Sequence, residues 1–531
     1  MQKIAIVGSG LSSISAAKIL ISRGVKPTII DCGNTIDEEK VRLVERMSHL
    51  EPSDWSREDI NLLTNNPTIH NKKIFPKKLA FGSDFFYGKA DQYEAIKFEG
   101  AIPPFSYAKG GLSSGWGAAV LSPDEADLTL WPIGNKELNP FFKMVLADVP
   151  YSASNDNLST VFPLFSNNAE PLDLTSGNKE VLEDLNKYVY SNNQKTILVG
   201  QSRLLVRVSK DSTGNGCKYC GNCMSGCVYD YIYKASSELD RLILSNKVDY
   251  RPNTLVQKVS EDSANAYIEV KDTLTEEISS LIFNKVLLGA GAVNSTRIVL
   301  RSKGLYNMPV RLLSTVTFVA PVFRLKKMKV DWPKTNTQPG IFLELKDDNF
   351  SKNWVHVQVS TPNEIVLDKL GVDFNKKSIM QWLKKKLLAH LLIVHGSIHS
   401  NNSPGYKIIL RKTDDDGIDE LYSKREQKKD TYGNIKSALF KLNNIFRKIN
   451  CFVIIPLAQN SIKSGGYHVG GSLPMRENPI EDTETNLLGN PKDWNNIHVI
   501  DSSVFPSLPA TTIGLLSMAN ASRIASKMDI N

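Results

Sequence analysis

The first 31 residues restrict this chain more than any other segment. Lys3–Val7 (KIAIV) is a short apolar run, rich in β-branched residues, of the kind that forms a parallel strand buried on both faces. Gly8-Ser9-Gly10 makes a tight turn, Leu11–Ile21 carries helical spacing, and Lys26–Ile30 is a second buried strand ending in Asp31. In such a strand–turn–helix–strand unit the glycines let the backbone approach a pyrophosphate. The helix N-terminus stabilises the phosphate charge, and Asp31 can accept a hydrogen bond from a ribose hydroxyl. Ser13 stands where the fingerprint has its third glycine and is still small enough for close helix–strand packing. The unit predicts an open α/β sheet that holds a dinucleotide.

The same texture returns much later. Val286–Gly291 reads as another buried strand, followed by a helix over Ala292–Arg301. His498–Asp501 (HVID) is a short strand ending in an acid, and after the loop Ser502–Pro509 a helix begins near Thr511–Ile513 and runs to about Lys527. These pieces belong to one α/β domain interrupted by hundreds of residues, and 531 residues are enough for two or three domains. The middle differs. Trp354–Ser360 (WVHVQVS) alternates like a half-exposed antiparallel strand, and Leu391–His399 with Tyr406–Arg411 reads as a hairpin around the turn 401–405. Asp414–Asp430 is highly charged and reads as a solvated loop or helix edge.

With 41% hydrophobic and 23% charged residues the chain is an ordinary globular one, which excludes disorder. No run of about 18 apolar residues predicts a membrane span. The opening MQKIAIVGSG leaves no room for a signal peptide, so a cytoplasmic location is expected. The net charge of +8 is scattered and no nucleic-acid module is visible, so no nucleic-acid partner is expected. Met380–Leu392 (MQWLKKKLLAHLL) is a basic, apolar helical segment. Its favoured reading is a surface helix with the apolar stripe on the core, over peripheral contact with an anionic membrane at the inner face.

Cys217, Cys220, Cys223 and Cys227 (CKYCGNCMSGC) have the ligand spacing of bacterial-type iron–sulfur sites, with Val228 where a proline usually follows. Soft thiolates on a glycine-containing loop suit a 4Fe–4S cluster, the preferred reading. A four-thiolate zinc site and a metal-free structural loop are the alternatives. Cys32 and Cys451 are isolated and read as buried structural thiols.

Five blocks together resemble the glucose–methanol–choline (GMC) family of FAD-dependent oxidoreductases. They are VGSGLSS at Val7–Ser13 with Asp31, GGLSSGWGAAV at Gly110–Val120, the pair Trp131-Pro132, and LLGAGAVNSTRIVLRS at Leu287–Ser302. The fifth is GGYHVGGSLPM at Gly465–Met475 with the C-terminal IDSSVFPSLPATTIGLLSMANASRIA at Ile500–Ala525. The resemblance implies a discontinuous α/β, Rossmann-like FAD-binding domain over residues 1–316, containing a cysteine-rich loop at 214–230. It implies an α+β substrate domain on an antiparallel sheet over 317–460, and a return to the FAD domain over 461–531. FAD would be held by Gly8, Gly10, Leu11, Ser12 and Asp31, and by Gly110, Gly111, Ser113, Ser114, Trp116 and Gly117 beside the flavin ring. Val259 would contact the adenine through its backbone, and Ala290, Asp501, Thr511 and Thr512 would complete the site.

His468, in an H-x-x-G-S pattern, matches the family's first active-site histidine, which takes the hydroxyl proton as hydride leaves the same carbon. The family's second histidine or asparagine falls at Leu508, which can neither donate nor accept, and three explanations stay open: a neighbour such as Thr511 or Asn520 substitutes, the substrate is positioned differently, or the reaction is atypical. Some relatives carry a similar cysteine loop, and others an iron–sulfur cluster beside FAD. The expected activity is oxidation of an alcohol to a carbonyl, preferably a sugar or polyol and secondly a fatty or sterol alcohol. Electrons would pass through the cluster to a one-electron acceptor protein or quinone. The alternatives are an oxygen-using alcohol oxidase without a cluster, or a non-catalytic flavin/iron–sulfur electron carrier.

Overall fold

The computed structural model describes residues 2–65, 78–192, 194–208, 215–374, 376–412 and 419–530. Residue 214, at the start of the expected cysteine loop, and 414–418 of the charged segment lie outside the described residues.

Five short strands form a parallel sheet in the spatial order Ile497–Val499, Lys285–Leu288, Ile4–Val7, Thr28–Ile30 and Asp249–Arg251. Every side chain of Ile4–Val7 is buried, which is why that run is apolar throughout rather than alternating. On one face the helix Leu11–Ser22 packs against the C-terminal helix Gly514–Lys527 through Ile14, Leu20, Ala521 and Ile524. The other face is covered by an antiparallel meander, Thr254–Glu261, Ala266–Asp272 and Ile278–Phe283, whose Val256, Ile268 and Val270 meet Val7, Ile30 and Leu288. Strands from opposite ends of the chain thus complete one sheet.

A second, antiparallel sheet orders Cys451–Val453, Val316–Arg324, Leu391–Ile398, Ser351–Ser360, Ile341–Asp347 and Ile197–Gln201. The strand 197–201 joins it from within the segment expected to belong to the nucleotide domain. The helices Ser176–Ser191 and Thr431–Arg447 cover one face with Val181, Leu185, Ile435, Leu442 and Phe446. A smaller sheet orders Val469–Gly470, Pro309–Ser314, Tyr406–Lys412, Asp419–Arg425 and Ile96–Glu99.

Three local expectations are corrected. Leu391–Ile398 and Tyr406–Lys412 do not form a hairpin; they enter different sheets, because residues 399–405 form a corner pinned by Ser403 rather than a tight turn. Ser351–Ser360 is central, not half-exposed. Its alternation separates a core face (Val355, Val357, Val359) from a polar face turned to an internal cavity (His356, Gln358, Ser360). Within the charged segment, Asp419–Arg425 is a strand rather than a loop.

Candidate active site

A single cavity of about 1020 Å³ runs from the C-terminal ends of the parallel strands to the polar face of the antiparallel sheet. That is the upper end of the range for ligand sites, and open α/β sheets bind their ligands in the crevice outside the carboxyl ends of the strands.

The inner half is a nucleotide cradle. Gly8 has φ +86°, and a Cβ there would lie 2.6 Å from the Gly289 carbonyl, so the turn accepts only glycine. The helix Leu11–Ser22 starts at Gly10 with no side-chain cap and no acid in its first turn, and a Cβ on Gly10 would meet nothing within 4 Å. Its free N–H groups therefore face the cavity, the arrangement that receives a pyrophosphate. Asp31 accepts from Ser9 Oγ, which itself accepts from the Gly110 N–H at 2.8 Å. Burial pushes the Asp31 carboxyl up to about 6 in spite of those bonds. The glycine-rich loop is the short 3₁₀ turn Gly111–Gly115. At Gly110, φ +81°, a Cβ would sit 2.6 Å from the Ser236 nitrogen. Trp116 is fixed by its indole N–H on the Tyr233 carbonyl (2.7 Å), and Lys78 donates to the Trp116 carbonyl (2.7 Å).

Gly8, Gly10, Leu11, Ser12, Asp31, Gly110, Gly111, Ser113, Trp116, Gly117, Ala290, Asp501 and Thr512 all lie on the cavity wall, as does His468. Three of the expected residues do not. Val259 is buried in the meander's core with its N–H on Ser302 Oγ (2.9 Å), and Thr254–Val256 occupy the wall there instead. Ser114 turns its hydroxyl to the Lys109 carbonyl (2.8 Å), and Thr511 is fully buried behind the wall. Asp501 has both oxygens occupied. Gly291 N–H (2.9 Å) and Ser295 Oγ (2.5 Å) bind one, and Ser503 N–H (2.9 Å) and Oγ (2.6 Å) the other, so it clamps two turns of the cradle together.

The outer half is set by strand register. Glu344 stands opposite His356, Gln358 opposite His395, and His356 opposite Ser397. Period-two geometry puts all five on one face. Glu344 Oε1 and His356 Nδ1 are 2.6 Å apart and buried, and Gln358 Nε2 lies 3.1 Å from His356 Nε2. His468, just before the strand Val469–Gly470, reaches the same wall, and its Nδ1 is buried without a partner among the described residues. Burial first lowers both His395 and His468 to about 4, with His356 adding to each and His395 adding to His468. Both are uncharged at neutral pH.

Leu508 is buried away from the cavity. Its backbone is tied to Ser400 by two hydrogen bonds, and its side chain joins the core with Phe505 and Trp131. Neither Thr511 nor Asn520 reaches the wall in its place. Polar groups on that wall include His356, Gln358 and His395; sequence reasoning missed His356 and Gln358 because WVHVQVS alternates equally well for solvent and for a cavity, and His395 because it was read as part of a hairpin.

The four cysteines of the loop are free thiols, as are Cys32 and Cys451. Cys223 Sγ accepts from the Thr337 N–H (3.4 Å), Cys227 Sγ from the Tyr231 N–H (3.3 Å) and Cys217 Sγ from Asn336 Nδ2 (3.6 Å). Among the described residues, no three His, Cys, Asp or Glu side chains converge as around one metal ion. Met224, between Cys223 and Cys227, lines the cavity beside Lys78. No helix among the described residues is long and apolar enough to cross a membrane.

No protein-family model matches the chain, and neither does any curated protein sequence. Among solved structures it is similar to pyridoxine 4-oxidase from Mesorbium loti. The identity is 14% over 99% of this chain and 98% of that one, with a TM-score of 0.62. At that identity the likeness establishes the fold: a discontinuous Rossmann-like α/β domain with an α+β domain built on an antiparallel sheet.

Proposed function

We propose that this protein is an FAD-dependent oxidoreductase of the GMC type that oxidises an apolar alcohol to a carbonyl. The observation that carries the reading is the cavity that joins a pyrophosphate-ready helix N-terminus and Asp31 to a wall carrying the uncharged His395 and His468. Full-length structural likeness to a protein named as an oxidase supports it.

The residues of the cradle fit FAD. Among the described residues Thr512 carries a buried hydroxyl without a partner on the wall, just before the N-terminus of Gly514–Lys527, where no side chain of those residues caps the helix. When bound, FAD supplies a two-electron acceptor for hydride. The free N–H groups at Gly10–Ser12 would hold its pyrophosphate, Asp31 would orient a ribose, and the N-terminus of the last helix would favour negative charge beside it. His468, unprotonated above about pH 4, accepts the substrate hydroxyl proton. Glu344, buried against His356 Nδ1 at 2.6 Å, fixes the orientation of that ring on the wall. His356 and His395 take the part expected of the residue at Leu508.

The outer wall favours an apolar substrate over the sugar or polyol first expected. Beside its polar face the outer wall carries an apolar stretch, Val319, Pro321, Phe323, Leu387, Leu391 and Leu457, against which sugar hydroxyls would go unpaired at about 1–3 kcal/mol each. The test is anaerobic reduction of the FAD-loaded protein by a panel of long-chain, sterol and sugar alcohols. Apolar alcohols should bleach the flavin band, and His468→Ala should retain FAD while reducing at least about 100-fold more slowly. A variant that reduces as fast as wild type would favour the electron-carrier alternative.

A second reading gives Cys217, Cys220, Cys223 and Cys227 an iron–sulfur cluster that passes electrons onward and makes oxygen a minor acceptor. Its support is the cysteine spacing, and the Thr337 and Tyr231 N–H groups on Cys223 and Cys227 are of the kind that would tune cluster thiolates. About four irons per chain on iron and sulfide analysis would support this reading. Flavin without iron would leave oxygen as the acceptor.

A further inference from the structure

The helix Ile379–Leu388 is turned the opposite way from an ordinary surface helix, and from the orientation favoured by its sequence. Its buried side chains are Gln381 and Leu388. Gln381 Nε2 (3.0 Å) and Lys384 Nζ (2.8 Å) donate to the Gly371 carbonyl, and Lys385 Nζ to the Phe374 carbonyl (3.0 Å). The polar stripe is therefore spent on the loop beneath. Ile379, Met380, Leu383 and Leu387, at helical i, i+3 and i+4 spacing, point outward, with Ile379 80% and Met380 61% exposed. Trp382 is 53% exposed and carries Lys386 Nζ over its ring at 3.7 Å.

This stripe borders the cavity mouth. Leu387, Leu370 and Leu457 are all exposed to solvent and all line the cavity. Residues 376–390 contain five lysines and no acid. An apolar face edged by lysines and an exposed tryptophan suits the headgroup layer of an anionic bilayer, where apolar side chains, indole and ammonium groups each find their own depth. A second copy of the chain fits less well, because a two-fold contact on this face sets the lysines against their own copies. Ten residues cannot span a membrane, so the helix would lie in its plane.

We propose that Ile379–Leu388 docks this protein on anionic membrane surfaces and places the cavity mouth against the lipid. Docking stands independently of the flavin chemistry; entry of a bilayer-dissolved alcohol through the mouth rests on it.

The full-length protein is sedimented with phosphatidylcholine vesicles with and without phosphatidylglycerol, and its FAD content is measured in the same samples, so that failure of docking and failure of the flavin reading are separately visible. Binding should require phosphatidylglycerol and weaken severalfold in high salt. The double variant Met380→Ser/Leu383→Ser should lose at least about tenfold in partitioning. Brominated lipid should quench emission from the wild type more than from Trp382→Phe, a readout that does not depend on the double variant folding. Absence of binding to the anionic vesicles, binding unchanged in the double variant, or a solution dimer that the double variant converts to monomer would each overturn the proposal.

Discussion

His468 owes its uncharged state to position, since the dominant cause is burial and the imidazoles of His356 and His395 add to it. The consequence is kinetic. Substrate-dependent flavin reduction should hold level from pH 8 down to about 5 and fall only as His468 protonates near 4, instead of showing a limb near 6.5; stopped-flow reduction across that range checks this. Gly8 shows the opposite kind of constraint, a residue whose lack of a side chain is its role. Gly8→Ala should cost about 1–3 kcal/mol from the left-handed backbone alone, and more from the clash with the Gly289 carbonyl. The expected outcome is a lower denaturation midpoint together with loss of retained FAD. Both residues were legible as motif positions. The partners of His468 were not, because His356 and His395 are 39 residues apart in sequence and meet only through the register of two strands.

Among elements, the last strand and helix do the most joining. Ile497–Val499 adds an edge to the parallel sheet, Ser502–Val504 forms a turn capped by Asp501, and Gly514–Lys527 packs on the first helix. Between them, Leu508 is held against Ser400, so the position expected to face the substrate faces the core. Leu508→Asn should therefore cost about 1–3 kcal/mol, as a polar group buried without a partner, and bring no gain in turnover. Urea midpoints and flavin-reduction rates measured side by side check both halves. The strand Ser351–Ser360 was readable as a strand because its period is two. Its surroundings were not, because alternation reports that two faces differ and not whether the polar one meets water or a cavity.

Across the whole molecule, buried titrating groups pull in opposite directions. His395, His399, His468 and His498 are lowered to about 4, in each case chiefly by burial. The unfolded chain takes up their protons below about 6.5, so their contribution is present above that pH and lost as pH falls toward 4. Burial raises Asp31 to about 6 and Asp127 and Glu364 to about 7. Their contribution is present on the acid side and lost as pH rises through 6–7. The windows overlap with opposite signs, so the melting temperature of the flavin-free protein should stay nearly level between pH 5 and 6.5. Glu364→Gln keeps an acceptor for the Met224 and Ser225 N–H groups but removes one opposing proton, so this variant should lose stability on acidification where the wild type does not. Thermal melts of the two proteins at both pH values check the sign.

What the amino-acid order by itself determined is local: the strand–turn–helix unit, its glycines, the acid at position 31, the motif around His468 and the helical spacing of Ile379–Leu388. Each depends on steric and hydrogen-bonding rules that act over a few residues. The tertiary structure alone decided which way a face points and what it meets. It put Val259 and Leu508 in cores, His356 and His395 on the cavity wall, and the apolar stripe of Ile379–Leu388 outward. Those outcomes depend on the register and packing of segments far apart in the chain, and no local pattern encodes them.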